Sequence, residues 1–162
     1  MTQGKILMLY DEYHDMVYRL ALSATRSPQD AEDVVQNVFL KLLDGRHPPE
    51  PGKERPWLIK VTVNACRDLM RSGWWRKTEP LDETIPFSTP EESGLFEAVM
   101  ALPPKYRVVV HLHYYEGYTC GEIARILRLS PSAVSMRLTR ARNLLRSNLK
   151  EEYDEPAVPK DL

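Results

Sequence analysis

Apolar positions recur at helical spacing through most of this chain. In residues 3–26, Leu9, Tyr13, Met16, Val17 and Leu20 mark the apolar side of a first helix. Ser27-Pro28-Gln29-Asp30 restarts the chain, with Ser27 as N-cap and Asp30 at the favourable N3 position. Ala31, Val34, Val35, Val38 and Leu42 are the stripe of the next helix. Asp44 to Arg55, rich in proline and glycine, predicts a loop. Pro56 opens a third helix running to about Arg71, with Leu58, Thr62, Ala65 and Leu69 along one face. Residues 72–91 carry prolines and acids without periodicity and predict a flexible linker. Leu95, Val99 and Leu102 predict a further helix, which Pro103-Pro104 ends. Tyr106 to Tyr115 is apolar and β-branched enough to resemble a strand, but its place between two helical signals predicts helix.

The stretch from Thr119 to Arg146 holds two helix signals around a tight turn. Thr119 and Glu122 form a capping box, and Ile123, Ala124 and Leu127 give the first helix its apolar face. Arg128-Leu129 makes the turn, and Ser130-Pro131 starts the second helix as N-cap and first helical residue. Val134, Leu138, Ala141 and Leu145 mark the buried stripe. At ~100° per residue, Ser132, Met136, Thr139, Arg140 and Asn143 fall opposite it, Ser135 and Arg146 border that face, and Arg137 and Arg142 flank the stripe. Short polar groups facing outward between arginines suit the DNA major groove, where some side chains reach base edges and arginines hold phosphates. The alternative is a solvated amphipathic helix pair inside a bundle.

Charge sharpens the choice. The net charge of −1 conceals separate blocks. Ile123 to Lys150 carries seven basic residues and no acidic one, and residues 53–77 carry seven basic and two acidic. Residues 78–99 carry six acidic and no basic residues, and the tail 151–162 five acidic and one basic. Two separated basic blocks point to two DNA contacts, with the acidic segments solvating or screening. The third helix carries the second block: Lys60, Asn64, Arg67, Asp68 and Arg71 share one face, with Trp57 beside them and the basic loop before it. Basic and amide groups next to a tryptophan can bind unpaired bases by stacking and hydrogen bonding. Taken alone, the pattern fits an ordinary charged face with Trp57 packed inward better, because aromatic residues are usually core.

Composition excludes more than it selects. The 162 residues suffice for one domain or two small ones. Cys66 and Cys120 lie far apart in sequence, with no CxxC and no zinc spacing, and His111 and His113, two apart on a helix, do not share a face. Neither metal site nor cofactor is expected, and no phosphate-loop, hydrolase-elbow, zincin or dinucleotide fingerprint occurs. With no signal peptide and no apolar run long enough to span a bilayer, a soluble cytoplasmic protein without membrane insertion is expected.

The order YHDMVYRLAL, SPQDAEDVVQNVFLKLL, RPWLIKVTVNACRDLMR, linker, LPPKYRVVVHLHYYEGYTCGEIARIL and LSPSAVSMRLTRARNLL resembles the sigma-70 family of bacterial RNA polymerase sigma factors. More closely, it is similar to the small two-domain extracytoplasmic-function group, from about Tyr10 to Leu149. The resemblance implies an all-α chain of two small helical domains joined by a flexible linker. Residues 1–72 would bind core polymerase and the minus-ten element, and 73–91 would be the linker. Residues 92–150 would read the minus-thirty-five element through the helix–turn–helix, and 151–162 would be an acidic tail.

Residue roles follow from the same resemblance. Asp33, Gln36 and Asn37 stand where relatives meet the β′ coiled coil of core polymerase, the β subunit being a further contact. The loop ending at Arg55, together with Trp57, Lys60, Asn64, Arg67, Asp68 and Arg71, matches the part that takes the melted minus-ten strand. Base readers of the minus-thirty-five duplex correspond to Ser135, Met136, Thr139 and Arg140, with Ser132, Arg137 and Arg142 around them. Many relatives carry a basic residue and a serine at the Ser135-Met136 positions, so Arg140 is expected to carry much of the direct readout here. Partners would be core polymerase, promoter DNA and an anti-sigma factor. A stand-alone helix–turn–helix regulator would instead bind duplex tightly as a dimer. A nuclease would need clustered carboxylates for metal ions, and a helix fans Asp30, Glu32 and Asp33 over different faces.

Overall fold

Thr2 opens the first helix of the computed structural model, its side chain accepting from the Lys5 N–H. The structure describes residues 1–71 and 93–153, and every regular element among them is helical. Helix α1 spans Gln3–Thr25, α2 Pro28–Asp44 and α3 Glu54–Arg71; α4 spans Ser93–Met100 and α5 Pro104–Val110. A π-helical turn, His111–Tyr115, continues α5, and α6 (Cys120–Leu127) and α7 (Pro131–Tyr153) complete the chain. The apolar, β-branched run after Pro104 is thus helical, as its flanking signals predict.

Local chemistry sets the boundaries. The Ser27 hydroxyl accepts from Asp30 N–H at the start of α2. Gly45 closes that helix at φ 71°, in the left-handed region that glycine enters without a Cβ clash. Thr119 and Glu122 make the reciprocal capping box of α6, and the Ser130 hydroxyl accepts from Ala133 N–H at the head of α7. Arg128 ends α6 in the left-handed conformation (φ 57°), a cost the packed turn must offset.

The stripes of α1 and α2 are buried as expected, apart from Tyr13, which is half-buried, and Phe39 joins them. In α3 the core face is rotated from the expected one: Leu58 and Thr62 are buried, but Ile59, Val63 and Cys66 lie beside them, while Ala65 and Leu69 are only half-buried. Alternative stripes on an amphipathic helix differ by one residue, and packing against α1, α2 and α6 chose between them. Helix α3 begins at Glu54, two residues before Pro56, so Arg55 lies in its first turn and not in the loop. Leu95 is 50% exposed, so α4 rests on Ala98, Met100 and the following Leu102. Helix α7 runs to Tyr153, beyond the expected start of the tail. The whole linker and residues 154–162 of the acidic tail lie outside the described residues.

One buried cluster runs through both halves, from Ile6 and Leu20 through Leu58 and Val109 to Ile123 and Leu138. The halves are therefore docked: α1 packs on α5, and α3 on α6.

Candidate nucleic-acid interface and the docked boundary

Helix α7 presents the face that its spacing predicts. Val134, Leu138 and Ala141 are buried, while Ser132, Ser135, Met136, Thr139 and Arg140 are exposed. Arg137 is half-buried. Arg142 is engaged: its Nε donates to the Tyr114 hydroxyl and its guanidinium lies 5.5 Å from that ring's centroid. The face thus offers two hydroxyls, a thioether and one arginine around Ser135, with a capped, apolar floor to hold the helix rigid.

On α3, Asn64, Arg67, Asp68 and Arg71 are exposed and Lys60 is half-buried. Asp68 stands 3.8 Å from Arg71, so one cation of the face is partly neutralised within it. Trp57 packs half-buried against the core, and its indole N–H donates to the His47 carbonyl at 3.1 Å. The inward alternative for this residue is the observed one, and its hydrogen bond ties α3 to the preceding loop. Arg55 is not free: it donates to Glu116 at 2.6 Å and lies 4.9 Å from the Tyr118 ring centroid.

Asp33, Gln36 and Asn37 are exposed on α2. Gln36 rims an apolar hollow of about 480 Å³ with Leu7, Tyr10, Leu40 and Leu43, all exposed by at least 41%. Asp33 and Asn37 line a second hollow across Leu40, beside Ala65 and Asp68. An apolar ridge between polar residues is the usual form of a protein-docking surface. Asp30, the N3 residue, is buried, and its carboxyl is pushed up by desolvation and by Asp33, against the Ser27 hydrogen bond.

Sequence reasoning missed the boundary between the halves. A helix leaves its last carbonyls without partners. Arg107 of α5, only 3% exposed, donates to the Ser23 and Ala24 carbonyls at the end of α1. It also donates to the carbonyls of Met100, the last residue of α4, and of Leu102 just beyond it, so one guanidinium caps two helix ends. Burial, with Arg26 nearby, lowers its pKa to about 10, which leaves it charged at neutral pH. Beside it the Ser23 hydroxyl meets His111 Nδ1 at 3.0 Å. His111 Nε2 stands 3.3 Å from Glu116 Oε1, off hydrogen-bond alignment, so that contact is electrostatic and strong only with a protonated ring. Burial opposes ionisation of Glu116, but His111 and Arg55 outweigh it and hold the carboxyl below the usual range. Tyr115 stacks on His111 at 4.9 Å, and Arg19 of α1 covers it. The one available signal was Arg107 itself, a lone cation inside the apolar run from Tyr106 to Leu112.

Cys66 is buried, its thiol pushed up to about 12 by desolvation, and Cys120 is half-buried. Among the described residues no cluster of three or more His, Cys, Asp or Glu could hold a metal ion. No described helix is long and apolar enough to cross a membrane.

Comparison with known proteins accounts for this arrangement. The family model for sigma-70 region 2 matches residues 9–76, and that for sigma-70 region 4 matches residues 94–145. The chain is 34% identical to the probable RNA polymerase sigma factor RfaY of Xanthomonas campestris, over 85% of this chain and 38% of that protein. It is 29% identical to the ECF RNA polymerase sigma factor SigE of Mycolicibacterium smegmatis, over 92% and 63%. The chain thus spans less than two thirds of the length of those two relatives. With the ECF RNA polymerase sigma factor SigL of Mycobacterium tuberculosis it shares 31% identity over 88% of each chain. Among solved structures, CnrH in complex with the cytosolic domain of CnrY superposes with a TM-score of 0.68 at 27% identity, covering 93% of this chain and 90% of that one. The sigma factor RpoE of Bartonella quintana, solved with the anti-sigma factor NepR, shares the fold with a TM-score of 0.72 at 20% identity, over 91% and 96%.

Proposed function

The chain belongs to the extracytoplasmic-function group of the sigma-70 family, and on that premise we propose that it binds bacterial core RNA polymerase and directs promoter-specific initiation, with no catalysis of its own. Residues 1–72 hold the polymerase and the minus-ten strand, and residues 92–150 hold the minus-thirty-five duplex, the linker between them replacing a larger intervening domain. The observation that carries this reading is the exposed face of α7, where Ser132, Met136, Thr139 and Arg140 stand outward over a buried stripe.

Arg140 supplies direct base readout, with Ser135, Met136 and Thr139 beside it, and Arg137 holds phosphate. Asp33, Gln36 and Asn37 dock on the β′ coiled coil, and the ridge of Leu7, Tyr10, Leu40 and Leu43 is buried by the same partner. Lys60, Asn64, Arg67 and Arg71 take the opened minus-ten strand. Extruding a base costs a few kcal/mol, which pocket and backbone contacts offset within the polymerase. Arg55 joins them only when its bond to Glu116 is released. An anti-sigma factor is the expected regulator, as it is the partner solved with the Bartonella neighbour.

Transcription in vitro tests the reading, with purified protein, bacterial core polymerase and a library of randomised promoters. Core-dependent transcripts from promoters sharing two elements at fixed spacing are expected. Transcripts independent of the protein, together with tight duplex binding by the protein alone, would make it a stand-alone regulator.

A further inference from the structure

Tyr114 has no part in the promoter reading, yet it touches the recognition helix. It is 58% exposed and lies in the π-helical turn that continues α5. Its neighbour Tyr115 serves the boundary between the halves, stacked on His111 and covered by Arg19 of α1. Tyr114 instead accepts from the Nε of Arg142 on α7, with the guanidinium 5.5 Å from its ring centroid. The tyrosine is itself held from behind. The His113 ring packs edge-on against it at 4.8 Å. His113 Nδ1 donates to the Tyr118 carbonyl at 2.8 Å, since a carbonyl can only accept, and this fixes the imidazole. A braced turn thus grips one exposed arginine of the helix–turn–helix.

The place of Arg142 on α7 gives that grip a purpose. Arg140 and Arg137 stand toward one edge of the outward face. Arg142 falls at the other edge, about 20° round the axis from Ser135 and roughly two turns beyond it. Counted from the head of α7, it is the first cation on that edge. A helix lying in the major groove has a phosphate strand along each side, so Arg137 and Arg142 are placed for opposite strands. An arginine that is not held loses rotamer freedom when it settles on a phosphate, and ordering it beforehand removes part of that loss. The bond to Tyr114 takes only Nε, which leaves both terminal nitrogens of the planar fork for a phosphate. We propose that Tyr114 is a positioning residue for promoter binding: it holds Arg142 ready for the backbone beside the minus-thirty-five element, on the strand opposite the one met by Arg137. The inference rests on the promoter reading and adds to it a residue outside the helix–turn–helix.

The test uses holoenzyme assembled from the full chain and bacterial core polymerase. The probe is a labelled promoter fragment enriched from the randomised library, and fluorescence anisotropy gives its affinity over a range of salt. Tyr114→Phe removes the hydroxyl and keeps the ring. It should weaken binding about two- to tenfold, the usual gain from ordering one long side chain in advance. The base preference recovered from the library should stay as it is, because a phosphate carries no sequence information. Arg142→Ala should weaken binding further and reduce the salt slope by about 0.9, as one lost phosphate contact does. In the Arg142→Ala background, Tyr114→Phe should have no further effect, since its action passes through the arginine. Both side chains are exposed, and circular dichroism with melting temperature establishes that each variant is folded. Undiminished affinity of Tyr114→Phe would overturn the proposal and leave the tyrosine a packing residue. An equal loss in the Arg142→Ala background would make Tyr114 a direct DNA contact and overturn the positioning role. A changed base preference in Arg142→Ala would put that arginine at a base edge and overturn the phosphate assignment. Failure of the unaltered holoenzyme to initiate from any library promoter would overturn the promoter reading and this inference with it, whereas the variant results bear on Tyr114 and Arg142 alone.

Discussion

The two faces proposed here to meet nucleic acid stand in opposite conditions. The reading face of α7 is open, with Arg140 and its neighbours in solvent. The face of α3 is one wall of a groove whose other wall is the second half of the molecule, and Arg55 at its head is held by Glu116. The same residue type accordingly does different work in each place. Arg140 stands exposed, Arg55 spans the two halves, and Arg107 is buried as a cap on α1. Exposure and partner, not residue type, separate a recognition arginine from a structural one. The difference also implies an order of events. On the proposed function, duplex would meet α7 as the molecule stands, whereas release of Arg55 from Glu116 would require the halves to part.

Breaking the boundary should have the largest effect. Arg107→Ala leaves buried carbonyls at the ends of α1 and α4 without a donor, and should cost about 3 kcal/mol of stability. Chemical denaturation measures this directly. A loss within the range of a surface substitution would mean that water or a shifted side chain replaces the guanidinium.

Acid should loosen the same boundary more gently. The Glu116 carboxyl is depressed in the folded state, so its contribution is complete above the ordinary glutamate value and is lost as pH falls through the folded one. Small-angle scattering of the full chain should show the radius of gyration rising in that acid window before helix content falls. Glu116→Gln should raise the radius already at neutral pH and remove the pH dependence. A radius constant down to global unfolding would confine the docking force to Arg107 and the apolar contacts.

At the open face the expected effect is narrower. Arg140→Ala should relax preference at one position of the minus-thirty-five element, at a cost of about 1–3 kcal/mol on the preferred sequence. Promoter-library transcription with the variant reads this out. An equal loss on every sequence would make Arg140 a phosphate contact.

Much of the fold was legible because its signals are local. Ser27, Thr119 and Ser130 cap helices with their own hydroxyls, and each bond closes within three residues of chain. The outward set on α7 was legible for the same reason, since a single helix with one buried stripe leaves little freedom in the rest. The face of α3 was harder. Two stripes compete there, and the buried set of Ile59, Val63 and Cys66 was selected by neighbours distant in sequence. Composition favoured Trp57 facing the core, but its bond to the His47 carbonyl depends on the path of the loop.

The amino-acid sequence by itself determined the helices, their caps, the helix–turn–helix and the family, because these rest on spacing and on contacts between near neighbours. Tertiary structure alone decided which charged residues are available. Ser23 lies 84 residues from Arg107 and 88 from His111, and Arg55 lies 61 from Glu116. No periodicity encodes such pairs. They form only when two apolar surfaces meet and bring polar groups out of water, where each must find a partner or carry the full cost of desolvation.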